Sequence, residues 1–128
     1  MARIYGLSEP PEHADTNSWI FKRWFDELME LILTTILIET VTTTYTVEAD
    51  KFYIRADATG GAFTVTLPAA LNSQGRQVLI KKIDVSANAV TVSRAGSDTI
   101  EGSNTVSLGS QWDKTHLISN GVSSWEIM

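Results

Sequence analysis

Two histidines, His13 and His116, are the only imidazoles in this chain of 128 residues, and cysteine is absent. Serine and aspartate are plentiful, so a Ser/His/Asp triad can be drawn on paper, but no G-x-S-x-G elbow accompanies it. The missing cysteines remove disulfides, thiol nucleophiles and cysteine zinc sites together, which fits a reducing compartment or a particle assembled in one. The run "EHAD" at residues 12–15 contains metal-ligand types, yet it reads as a solvated polar segment. "ATGGAF" lacks the strand-to-helix context and the lysine of a phosphate loop, so it reads as a turn. Asp57, Asp84, Asp98 and Glu101 offer the carboxylates of a glycosidase, but such enzymes need a long solenoid groove that this short chain does not supply. The expectation is therefore no catalytic residue, no cofactor, no metal and no enzymatic activity. Recognition is a different matter. Trp112, between Gln111 and Asp113 in an apparent loop, is placed to stack on a sugar, whereas Trp125 reads as a plug closing the core, with a binding role as its rival.

The net charge of −5 is unevenly spread. Residues 1–48 carry 3 basic and 8 acidic side chains, and residues 49–128 carry 7 of each. An acidic first third and a neutral remainder argue against nucleic acid or an anionic membrane as partner. The start has neither a basic n-region nor an apolar h-region, and the longest uncharged apolar run, residues 31–38, is far short of the roughly 18 residues of a membrane span. A soluble chain not secreted by the usual route is expected.

Three zones follow along the chain. Residues 1–17 contain adjacent Pro10 and Pro11 and a nearby Gly6, which disfavour helix and predict an extended arm. That arm reads either as a disordered leader or as a docking segment, in which Ile4, Tyr5, Leu7, Pro10 and Pro11 meet a partner. Good N-cap residues at 15–18 then open a helix over about 16–34, within a zone drawn at 18–39. Phe21, Trp24, Leu28, Leu31, Thr35 and Ile38 recur at heptad spacing, beside a second stripe of Phe25, Met29, Ile32 and Ile36. Past Thr34 the β-branched content climbs and the backbone preference turns extended.

From residue 40 to 128 short alternating segments are parted by turn residues every 8 to 12 positions or so, which predicts an antiparallel β-sandwich, barrel or prism. "TTTYTV" and "KFYIRA" around "EADK" read as a hairpin, with Tyr45 and Val47 facing Phe52 and Ile54. Gly60 and Gly61 read as hairpin-turn glycines, with Gly75, Gly96, Gly102 and Gly121 in later turns. No run resembles a crossover helix, so a parallel α/β sheet is not expected.

The helix poses the main physical question. Its apolar stripes are wider than one helix usually hides against one sheet, although cover by the chain's own β-region remains the simpler alternative. Sister copies fit better, with three parallel helices pooling the seam in a homotrimeric coiled coil; a different partner protein is the other way to cover it.

A resemblance bears on the same point. The stretch "ADATGGAFTVTLPAALNSQGRQVLIKKIDVSANAVTVSRAGSDTIEGSNTVSL", followed by "LISNGVSSWEI", resembles the small β-module of bacteriophage tail fibres, tail spikes and other virion appendages. It covers residues 56–128, and the order and spacing of its segments carry the likeness more than any single residue. The resemblance implies a trimeric β-structure projecting from a virus particle. The expected function is thus a structural virion protein, assembled in the host cytoplasm and attached through arm and helix to capsid, collar or tail proteins. A chain this short, read as complete, fits a head fibre, decoration protein or collar appendage better than a long-shafted tail fibre. The alternative is a tail-fibre module that binds a host receptor or surface glycan.

Overall fold

The computed structural model describes residues 19–128, and the side chains of all of these but residues 19, 20 and 31–36. The arm residues Ile4, Tyr5, Leu7, Pro10 and Pro11, His13 and the 12–15 cluster lie outside the described residues. The chain divides into two units, Met1–Ile36 and Leu37–Met128. The protein is mainly β, with one long helix and two sheets among the described residues.

The helix, α1, runs Trp19–Ile36. It stops two residues short of Ile38, the last position of the heptad seam, because Thr34, Thr35, Ile36, Ile38, Thr40 and Val41 crowd β-branched side chains that favour extended backbone. Ile38 instead opens strand β1, Ile38–Val41. A heptad count registers spacing in sequence and does not detect where the backbone changes.

The β-unit continues with β2 (Tyr45–Thr46), β3 (Tyr53–Ala56), β4 (Phe63–Thr66), β5 (Gln77–Lys82) and β6 (Val90–Ser93). It closes with β7 (Thr99–Ile100), β8 (Thr105–Leu108), β9 (Lys114–Ser119) and β10 (Ser124–Ile127). One sheet has the order β1-β3-β5-β9-β10-β7, the other β2-β4-β6-β8. The first six strands alternate between the sheets, so each parallel neighbour is reached through a strand of the other sheet.

This arrangement corrects the antiparallel expectation. The pairs β1/β3, β3/β5, β2/β4, β4/β6 and β7/β10 are parallel. Only β5/β9, β9/β10 and β6/β8 are antiparallel. A parallel pair needs a long connection, and here a strand in the opposite sheet supplies what a helix more often does. The expected hairpin is absent for the same reason: Tyr45 is opposite Val65 in one sheet, while Tyr53 and Ile54 pair with Leu79 and Ile80 in the other. The turn between them is held from elsewhere, by the Arg76 guanidinium donating to the carbonyls of Glu48 and Lys51.

Alternation places one face of each strand inward. Val78, Ile80 and Lys82 of β5 are buried, as are Thr115, Leu117 and Ser119 of β9. Side chains from both sheets, including Ile54, Val65, Val92, Leu117 and Trp125, form a single apolar cluster. Trp125 is fully buried and its Nε1–H donates to the Pro68 carbonyl at 3.1 Å, so it is the core plug rather than a binding aromatic. Of the two adjacent glycines only Gly61 has positive φ, and it joins strands of different sheets. At Gly121, φ is +77° and an added Cβ would lie 2.6 Å from Gln74 side-chain carbons, so only glycine fits.

Candidate functional site

The loop between β8 and β9, residues 109–113, is built to display one side chain. Trp112 is 58% exposed and its backbone sits at φ +73°, the left-handed region that bulky residues avoid. Holding such a residue there costs about 1–3 kcal/mol, and the surrounding bonds show how the conformation is enforced. The Asp113 carboxylate accepts from the Gly109 and Ser110 amides at 3.0 and 2.9 Å, and the Asp113 amide donates back to the Ser110 carbonyl. The Trp112 amide donates to the Lys82 carbonyl at 2.8 Å, the Lys82 amide to the Asp113 carbonyl at 2.9 Å, and Gln111 Nε2 to the Ile83 carbonyl at 3.2 Å.

The segment that receives those bonds is itself anchored by a buried ion pair. Lys82 follows Val78 and Ile80 on the inward face of β5 and is fully buried. Its ammonium meets Asp84 Oδ1 at 2.7 Å, the Asp84 carbonyl at 3.3 Å and Ser86 Oγ at 3.4 Å, which uses all three donors. Asp84 Oδ1 also accepts from the Ala58 amide at 2.8 Å, and Oδ2 from the Ser86 amide at 3.0 Å and the Ser86 hydroxyl. Asn88 Nδ2 closes the ring on the Ala58 carbonyl at 2.8 Å. Burial would raise the Asp84 pKa, but the bonds from Lys82, Ser86 and Ala58 outweigh it and hold the carboxyl well below the ordinary carboxylate range. With every polar group engaged, this cluster is a clamp on residues 82–88, and through them on the Trp112 loop.

Trp112 stands beside cations. Lys81, the outward neighbour of Lys82, places its ammonium 5.2 Å from the Trp112 ring centroid. In the register of the first sheet Lys81 is opposite Arg55 on β3 and opposite Lys114 on β9. Ile54, Ala56, Ile80, Lys82 and Thr115 face inward around them, so the three basic residues share the outward face in one transverse row. None has a carboxylate partner within ion-pair distance among the described residues. Arg55 donates at 3.3 Å to the Thr40 hydroxyl.

The other candidate residues are held separately. Asp57 accepts from the hydroxyl and the amide of Thr59, which lowers its pKa. Asp98 accepts from the Ala70 amide at 2.8 Å and Glu101 from the Ile127 amide at 2.9 Å, so these carboxylates stitch turns. His116 Nε2 shares a 2.9 Å hydrogen bond with Gln77 Oε1 and its ring meets Phe52 edge-on. On α1, Trp24 and Leu28 of the seam are half-buried, whereas Phe21 is 41% exposed, and Phe25 and Met29 of the second stripe are 48% and 39% exposed. Phe21 and Trp24 touch at 5.7 Å between ring centroids. The side chains of Leu31 and Thr35 lie outside the described ones.

The sequence pointed to Trp112 but not to its setting. The buried Lys82 has a legible signal, since the alternation of "QVLIKK" puts the second lysine on the same face as Val78 and Ile80. The basic row has none, because it exists only through pairing of three strands spread over residues 53–119.

No metal-holding group of three or more suitable side chains occurs among the described residues, and no helix there is long and apolar enough to cross a membrane. No protein-family model and no curated protein matches the chain.

Proposed function

We propose that this chain is a non-enzymatic structural protein of a bacteriophage particle. In this reading it is a homotrimeric fibre, spike or decoration protein, its two sheets packed as a sandwich that projects outward, its arm and helix attached to capsid, collar or tail proteins. The observation that carries the proposal is the helix: Phe21, Phe25 and Met29 leave large apolar surface in water on one 18-residue element. Burying the part of each that is still exposed contributes about 1 kcal/mol per side chain, which summed over three copies favours association. The resemblance of residues 56–128 to phage-appendage modules supplies the biological setting.

The test separates assembly from attachment. Trp24→Asp places a charge in the helical seam and is expected to abolish trimers and, with them, incorporation into particles. Deleting residues 1–15 is expected to leave trimers intact and to abolish incorporation alone. If the deleted protein still decorates particles at the normal level, the docking role of Ile4, Tyr5, Leu7, Pro10 and Pro11 is wrong.

A second reading, a module that binds a host surface glycan, is favoured by one observation, the exposed Trp112 held in left-handed backbone. Loss of glycan binding in Trp112→Ala with an unchanged trimer supports it.

A further inference from the structure

The outward face of the first sheet combines two features that folding does not require. Three cations sit directly opposite one another across β3, β5 and β9, an arrangement that self-repels, and none has a carboxylate partner among the described residues. Beside Lys81, the middle member of that row, stands an exposed indole whose loop is braced from beneath by a buried clamp. We propose that Arg55, Lys81, Lys114 and Trp112 form a binding site for an acidic, carboxylate-bearing saccharide. This deepens the glycan-binding reading and rests on it.

The chemistry of each part selects that ligand. An indole face takes the apolar C–H face of a pyranose ring, and its exposure leaves room for one. Lys81 holds its ammonium over one face of the indole, 5.2 Å from the ring centroid, so a sugar would take the opposite face and its carboxylate would find a cation beside the ring. Adjacent strands are about 4.8 Å apart, so the row from Arg55 to Lys114 spans roughly 10 Å, the length of about two sugar residues. Arg55 offers a planar fork suited to a carboxylate and keeps part of it engaged with Thr40. Long nucleic acid fits less well, since the chain carries a net charge of −5 and the row is too short for many phosphate contacts.

The experiment is titration of the full chain with three acidic probes, a hyaluronan hexasaccharide, an α2,8-linked trisialic acid and a mannuronate hexasaccharide. Neutral chitohexaose and a 20-base-pair duplex DNA serve as comparisons, and amide chemical shifts and calorimetry as readouts. At least one acidic probe is expected to bind, with shifts centred on Trp112, Lys81, Lys114 and Arg55, affinity falling as salt rises, and chitohexaose at least tenfold weaker. Trp112→Ala and Lys114→Glu are each expected to weaken binding tenfold or more while leaving solution mass unchanged. Arg23→Gln, which removes a cation from the helix, is expected to leave affinity within twofold. Equal, Trp112-dependent binding of acidic and neutral probes overturns the acidic specificity and leaves the glycan reading standing. Silence towards all four sugars overturns both. Duplex DNA binding as tight as the best sugar, and indifferent to Trp112→Ala, overturns the proposal in favour of a plain polyanion surface.

Discussion

The two units differ in whether they hold a core: residues 37–128 bury one, although Leu71, Val85 and Val122 there stay more exposed than Phe25, whereas none of the described side chains of α1 is buried. In residues 37–128, Ile54, Val65, Leu67, Ile80, Leu117 and Trp125 are withdrawn from water almost completely, and they form one cluster. In α1, Phe21, Phe25 and Met29 remain exposed on a helix rich in large apolar residues. A β-unit with that core contains the interactions that hold it together. In the proposed reading that helix surface is what associates, while the β-unit relies on its own core.

The contrast breaks hardest at the β-core. Trp125→Ala removes the largest fully buried side chain and leaves the Pro68 carbonyl without its donor; a loss of about 4 kcal/mol is expected in urea unfolding of the β-unit. A loss below about 1 kcal/mol would show that the cluster is not the source of stability. Lys82→Met is next, at about 3 kcal/mol, because it leaves the Asp84 carboxylate buried without its cation.

Acid sharpens the same point. The Asp84 pKa is depressed in the folded state, so its contribution is complete above the ordinary carboxylate pKa of about 4 and disappears as pH falls further towards the folded value. The midpoint of thermal unfolding is therefore expected to fall between about pH 5 and pH 2 in the native chain, and less steeply in Asp84→Asn. Parallel slopes would remove Asp84 from the account of acid sensitivity.

The smallest effect belongs to the display loop. Trp112→Gly relieves a left-handed backbone but gives the unfolded chain more freedom, so stability should change by less than about 1 kcal/mol in urea unfolding. A loss comparable with that at Trp125 would mean that Trp112 is structural.

Much of this contrast was legible in the sequence, and the part that was not has a definite physical cause. The wide stripes around Trp24 and Phe25 marked the helix, and the alternation in "AFTVTLP" marked β4, because both patterns are local. Pairing is not local. Tyr45 and Phe52 looked like hairpin neighbours from the turn between them, yet Tyr45 lies in β2 of one sheet and Phe52 leads into β3 of the other, since a strand's partner is chosen by the core it helps to bury. Ile38 kept heptad spacing while its backbone had already become a strand. At the candidate site, Trp112 stood out by type and by its polar neighbours, but the alignment of Arg55, Lys81 and Lys114 depends on register and left no trace in linear order.

The central claim, that the helix surface is shared among copies, is tested most directly by sedimentation equilibrium of the full chain over a range of concentrations. A mass three times the 14.1 kDa of one chain is predicted, falling to that of one chain in Trp24→Asp while the β-unit still unfolds cooperatively. A single 14.1 kDa species at every concentration would contradict it.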